Sequence, residues 1–583
     1  MLDKKKLPYF VSLIFTFYLT HNWISFFYNP TNNSDFDKYF HYVENFSGLN
    51  VQFDFGQGVL YYYLIYLNFS NNLSIINISN IDTIISNSIV EVNSILFFFG
   101  LIGIYKLLKL YKYKFQNIIL ALILLNFFPQ MIYMRSVMKP EILTFAMFSW
   151  ILFLVEKAKK TKNVKFFYLA VPFASILLNT KASLAGMFIL FFLFFYFDLF
   201  KIFGLKVIFS VSIILILNFG FLMYENIQIT ENNYVYRAYD SEFDNKADWK
   251  ILFNFNLQQL IKDPYFETDN NSIHANSIIQ LTLLDSFGDH FNQLIYEKRN
   301  YFSQNVKEVF VSNSDSLLNE NRQILYKGPF KNIIVDSPLY FKKLISIFMS
   351  IIFYSLLIYF AISKKYEKQF FLGPFIGIFI LYINSLGFPS NNFNPVRGDT
   401  FKSFYYGFLL SVAFVFIIVN LFLKTKVFYK FLFCTTFILL ILFIFGHPKS
   451  VSQEFSNKLI VENEYSIFCS INNLIFFNED LIGRVHASGI ENNLNSDCKN
   501  KKLSKNSNIN SETFFKDILS KNSCDDADFL TDEFLHLTLC RYNTFELIEK
   551  NNNNPNAPPY FNLITLIACL SIIIFQAKDN DND

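Results

Sequence analysis

The chain has 583 residues, of which 52% are hydrophobic, 19% aromatic and 17% charged, against roughly a quarter charged in an ordinary soluble domain. That balance excludes a soluble globular enzyme, a disordered tail and a collagen-like fibre, and a formal net charge of +3 gives no basis for nucleic acid as a partner. The 76 phenylalanines and 34 tyrosines fall in apolar windows of about 20 residues, long enough to cross a bilayer. The abundance of Asn, Ile, Lys, Phe and Tyr resembles an AT-rich bacterial genome.

In chain order, Met1 to Lys6 ends in three lysines and leads into an apolar run over 7–28. No small-residue cleavage site follows, so the run predicts a signal-anchor helix. Further apolar runs lie at 89–108, 116–134, 140–156, 166–178, 184–200, 207–224, 344–362, 370–388, 403–423, 427–446 and 560–576. The fold expected is therefore an all-α polytopic membrane protein with about 12 transmembrane helices. The runs at 166–178 and 184–200 are both short for a bilayer.

The positive-inside rule orients this map. With the N-terminus cytoplasmic, the short inside segments and their adjoining helix ends hold 21 Lys/Arg. The short outside segments together with 29–88 hold only Lys38, Arg135, Lys139, Lys181, Arg397 and Lys402. Both termini are thus expected in the cytoplasm of a bacterial inner membrane, with the outer segments in the periplasm.

Three long outer segments result, 29–88, 225–343 and 447–559. The organisation predicted is a transmembrane module over 1–446, a small α or α+β periplasmic unit over 447–559, and a final helix with a cytoplasmic tail over 560–583. Asn551 to Pro559 reads as the loop into that helix. Cys469, Cys498, Cys524 and Cys540 all fall in the last outer segment. In an oxidising compartment four cysteines suggest two disulfides, with three connectivities open. No Cys-x-x-Cys spacing supports a zinc site instead.

The first outer segment contains Asp35, Asp37, His41 and Glu44. On a helix, Asp37 and His41 stand at i and i+4 on one face, with Asp35 at an N-cap position. This suits a general base at the membrane surface; equally, an acidic loop that only orients the first span would carry the same residues. Downstream, Phe55-Gly56-Gln57-Gly58 leads into Leu60-Tyr61-Tyr62-Tyr63. This stretch is too short to span and predicts an interfacial helix with tyrosines at headgroup level.

A signal anchor, an acidic outer loop with Asp37-x-x-x-His41-Tyr42, and a glycine-containing segment running into Leu60-Tyr61-Tyr62-Tyr63 resemble the first periplasmic loop of C-type (GT-C) membrane glycosyltransferases. These include the protein O-mannosyltransferases and the aminoarabinose transferases of lipid A. Relatives carry proline before the Leu-Tyr-Tyr, where this chain has Phe55 to Gly58. Arg135 to Leu143, with Lys139 and Glu141, resembles the family's polar connection between the third and fourth helices. Leu284 to His290, with Asp285, Asp289 and His290, resembles an acidic patch of bacterial members. Arg397 to Tyr406, with Lys402 and Tyr405, resembles the late segment near the donor phosphate.

The resemblance implies a sugar donor on polyprenyl phosphate, a lipid, glycan or protein acceptor, and inversion at the anomeric carbon. Asp37 is the first candidate for the base and Asp35 the second. Arg397 and Lys402 would neutralise phosphate, and His41 would orient Asp37, contact phosphate, or simply face the headgroups. Arg135 and Lys139 would meet donor phosphate or lipid headgroups. Glu141 would orient a substrate or serve only as a helix-start carboxylate. Asp285, Asp289 and His290 would ligate a divalent metal or form an ordinary solvated loop; no cofactor is otherwise implied.

No Gly-rich nucleotide loop, Gly-x-Ser-x-Gly elbow or His-Glu-x-x-His motif occurs in the sequence. The competing functions are an O-antigen polymerase or ligase, a polytopic transporter, and a non-catalytic scaffold. Polymerases and ligases depend more on outer-loop arginines, and transporters on broken helices and mid-membrane charges.

Overall fold

The computed structural model describes residues 6–28, 30, 39–40, 42–43, 46, 58–72, 81–230, 278–288, 338–364, 367–385 and 403–445. Among them all regular structure is helical. The expected unit over 447–559, the helix over 560–576, the four cysteines and most of the three long outer segments lie outside the described residues.

The described elements are α1 (Leu7–Phe27), α2 (Leu60–Asn72), α3 (Ile81–Leu110), α4 (Phe115–Asn126), α5 (Pro129–Ser136), α6 (Glu141–Thr161), α7 (Val164–Leu178), α8 (Ala182–Phe195) and α9 (Leu199–Thr230). They continue with α10 (Ile278–Asp285), α11 (Pro338–Ser363), α12 (Lys368–Ser385), a 3-10 turn (Ser403–Tyr406), α13 (Gly407–Leu421) and α14 (Val427–Phe445). Each apolar run expected from 7–28 to 427–446 is helical over most of its described residues. Among the described residues five helices are long and apolar enough to cross a membrane, or six if the bent pair α4–α5 forms one span. The chain is a membrane protein of helical architecture.

One run differs from expectation. The run over 116–134 is not one straight helix: α4 and α5 meet at a 53° bend. Pro129 is the cause. It lacks an N–H, its ring clashes with the preceding turn, and it pushes Phe128 into extended backbone, as observed at φ −69°, ψ 127°. The connection expected between the runs at 184–200 and 207–224 is present: within α9, Gly204 takes φ +78°, a positive value that separates a first turn from the long apolar helix after it.

Helix α13 forms the centre, with 89% of its span buried, whereas the α9 span is only 17% buried. The exposed apolar side chains of α1, α9, α11 and α14, such as Phe15, Phe209, Ile362 and Phe428, suit a surface against lipid tails. Helices α3, α6 and α7 pack side by side. Gly103 permits the closest approach, since a Cβ there would meet the Ser149 backbone at 2.9 Å.

Lysines gather at one end of the bundle, in the connections α3–α4, α6–α7, α11–α12 and α13–α14. Two carboxylates, Glu156 buried and Glu367 half-buried, tie that end together. Glu156 accepts from Tyr196 Oη at 2.7 Å and from Gln369 Nε2 at 3.2 Å. Glu367 accepts from Tyr113 Oη and from Asn420 Nδ2. Burial first, and then the Glu367 carboxylate, push the Tyr113 phenol up, so it stays protonated and donates. The opposite end, expected to face outward, holds the residues of interest.

Candidate functional site

At the opposite end, α7 is followed by its C-cap Asn179, and Thr180 donates its N–H to Leu177 O at 3.0 Å. Lys181 is extended and opens α8. The residues before α2 dock on this turn: Gly58 donates its N–H to Thr180 O at 3.0 Å. A Cβ at Gly58 would overlap the Asn179 carbonyl oxygen, so only glycine fits. The glycine ahead of Leu60-Tyr61-Tyr62-Tyr63 thus fixes how the first outer segment meets the bundle. Tyr62 stacks on Tyr42 and Tyr39, at ring separations of 4.2 and 5.8 Å.

Glu141 begins α6, where the helix dipole favours a carboxylate. It is 1% exposed, and its Oε1 lies 3.0 Å from Lys181 Nζ. Lys181 also lies 4.2 Å from the Tyr405 ring. Lys139, 1% exposed, sits over the Phe404 ring at 4.8 Å and within 5.9 Å of the Tyr405 and Tyr39 rings. The Tyr405 ring therefore lies beside two ammonium groups, whose attraction to ring faces strengthens away from water. Lys139, Glu141 and Tyr405, expected to share a site, are brought together. Lys181 belongs with them; its place in the charge count, as a basic residue in a short outer connection, was the signal for it.

Asp285 closes α10 and is buried, so it lies in no solvated loop. Its Oδ2 accepts from Ser403 N at 2.7 Å and lies 2.6 Å from Ser403 Oγ. It thereby serves as a cap for the turn that carries Phe404 and Tyr405, meeting an N–H that the start of a helix leaves unsatisfied. Gln130 Nε2 donates to the Asp285 and Ser286 carbonyls at 3.1 and 3.0 Å. Ser286 Oγ bonds Tyr354 Oη at 2.9 Å, and that phenol lies 3.3 Å from Tyr406 Oη. Asp285 positions the neighbouring turn, and among the described residues no group of three His, Cys, Asp or Glu could hold a metal.

Arg135 departs from its expected place in an outer loop facing headgroups. It occupies the last turn of α5 and is fully buried. Its guanidinium donates to Thr20 Oγ1 at 3.0 Å and Ser94 Oγ at 3.4 Å, between the Phe97 and Phe17 rings at 4.8 and 5.3 Å. Asn93 Nδ2 holds the Arg135 and Val137 carbonyls, and Tyr61 Oη donates to Asn93 Oδ1 at 2.8 Å. Arg135 binds α1, α3 and α5 to one another, apart from the Lys139–Glu141–Lys181 group.

Asp35, Asp37, His41, Asp289, His290, Arg397 and Lys402 lie outside the described residues. The chemistry available from the described ones is clear. Two ammonium groups can neutralise an anionic oxygen, a buried carboxylate can accept from hydroxyls, and tyrosine faces can carry a ring. Compared with family models, curated proteins and solved structures, the chain matches none of them.

Proposed function

We propose that this chain is a bacterial inner-membrane glycosyltransferase. It would move a sugar from a polyprenyl-phosphate donor to a lipid, glycan or protein acceptor on the periplasmic face. The observation that carries the proposal is the meeting of Lys139, Lys181, Glu141 and Tyr405 at the end of the bundle where Gly58 docks the first outer segment.

In the proposed reaction Asp37, or failing it Asp35, takes the proton of an acceptor hydroxyl as that oxygen attacks the anomeric carbon. The bond from that carbon to the phosphate oxygen breaks on the opposite face, and the configuration inverts. Polyprenyl phosphate leaves with the bonding electrons. Its negative charge is countered by Lys139 and Lys181, with Arg397 and Lys402 just ahead of the Ser403 turn, so a dedicated general acid is not required. Apolar helix faces take the isoprenoid tail.

Asp37→Asn and Asp35→Asn test the base. The variants should insert and fold as the parent does while transfer of labelled sugar from polyprenyl phosphate into envelope material is lost in at least one. Full transfer by both sinks the assignment. The 53° bend at Pro129 with buried Arg135 beyond it also suits a transporter, since transporters use broken helices near charges. Uptake of labelled polyprenyl-phosphate sugar into sealed vesicles, without covalent transfer, would favour that function.

A further inference from the structure

Four side-chain atoms at the Gly58 end are buried without a hydrogen-bond partner: Glu141 Oε2, Thr144 Oγ1, Asn179 Oδ1 and Asn179 Nδ2. The other described residues with such an atom, Ser88, Arg135, Asp198, Gln280, Ser350 and Asn420, have one each. Buried polar groups are nearly always bonded, so a cluster of unmet ones points to something that meets them. Glu141 and Thr144 stand at i and i+3 on α6 and share a face. Asn179 caps the C-terminus of the neighbouring α7, two positions before the Lys181 that reaches Glu141 Oε1 at 3.0 Å. All three side chains are over nine-tenths buried.

The chemistry of the unmet groups narrows the ligand. The amide nitrogen offers two donors, the amide oxygen and the carboxylate only accept, and the threonine hydroxyl does both. A phosphate offers acceptors alone and would be repelled by Glu141. Adjacent hydroxyls, each donor and acceptor at once, match the set. We infer that Glu141, Thr144 and Asn179 form a sugar-hydroxyl subsite that selects the transferred sugar, next to the lysines that meet its phosphate. This rests on the glycosyltransferase function proposed above.

The test uses the full chain in lipid nanodiscs with three probes: farnesyl phosphate, farnesyl-phosphate mannose and farnesyl-phosphate arabinose. The parent should bind at least one glycosylated probe tenfold or more tightly than farnesyl phosphate. Asn179→Ala and Thr144→Val should each reduce that sugar-dependent gain at least threefold and leave farnesyl phosphate affinity unchanged, which also reports that they fold. Thr144→Ser, which keeps the hydroxyl, should retain the gain. A gain that survives in both Asn179→Ala and Thr144→Val overturns the subsite while leaving the lipid-phosphate function standing, and so does a parent that gains nothing from the sugar. Failure of all three probes to bind overturns both.

Discussion

Replacing Lys181 with Met removes the ammonium that lies 3.0 Å from Glu141 Oε1, beside a carboxylate only 1% exposed. At that distance and an effective dielectric near 20 the attraction is about 5.5 kcal/mol before desolvation is counted. The Lys181 side chain is 18% exposed, so water screens part of it. The loss expected is the lower part of the range of roughly 3–5 kcal/mol for removing one partner of a buried pair. Most of that loss is the cost of a stranded carboxylate, so adding Glu141→Gln should relieve it. The double variant should be less destabilised than Lys181→Met alone, with a coupling on the order of 2 kcal/mol. Reversible unfolding in mixed detergent micelles, followed by tryptophan fluorescence at pH 7, measures all four corners of the cycle. A double-variant loss equal to the sum of the single losses would refute the pairing.

Gly58→Ala should cost about 1–3 kcal/mol, because its Cβ overlaps a backbone oxygen that no rotamer change can move. Gly186→Ala in α8 is the control: its Cβ would meet nothing closer than Ile380 at 3.9 Å, and a helix gains roughly 0.5–1 kcal/mol from the exchange. Thermal unfolding of the two side by side should move in opposite directions, and equal shifts would count against the docking. For Asp285, the alanine variant should lose about 2–3 kcal/mol by stranding the buried Ser403 N–H, whereas Asp285→Asn, which keeps an acceptor oxygen, should lose about half of that. Chemical unfolding ranks the pair, and indistinguishable midpoints would remove Asp285 as the cap.

The helices were legible because lipid and protein core both demand apolar runs, and each run is local in sequence. The lysine-rich end was legible for the same reason, since the charges sit in short connections between the runs. Pro129 was visible within the run at 116–134, but a hydrophobicity window does not register that a proline bends a helix. The burial of Arg135 could not be read locally. Its partners Thr20, Ser94, Phe17 and Phe97 come from α1 and α3, and only packing brings them to it. The bond from Ser403 to Asp285 joins residues 118 positions apart, which no spacing rule anticipates. Lys139, Glu141 and Tyr405 were marked by lying among scarce charges near expected outer ends.

The bend at Pro129 has a reach beyond its own helix. It opens α5, whose Gln130 holds the carbonyls at the end of α10. Asp285 at that end fixes Ser403, and the Ser403 turn carries Tyr405 to the side of Lys181, which in turn reaches Glu141. Each link joins elements distant in sequence, and each is made by a buried hydrogen bond, a ring contact or an ion pair rather than by loop chain alone. A group held this way has little freedom left to lose when a ligand arrives, so binding there draws on contacts already in place. Lys139 and Lys181 would then meet an anionic oxygen without first being ordered. That is the condition under which fixed charges stabilise a departing phosphate more effectively than mobile surface lysines do.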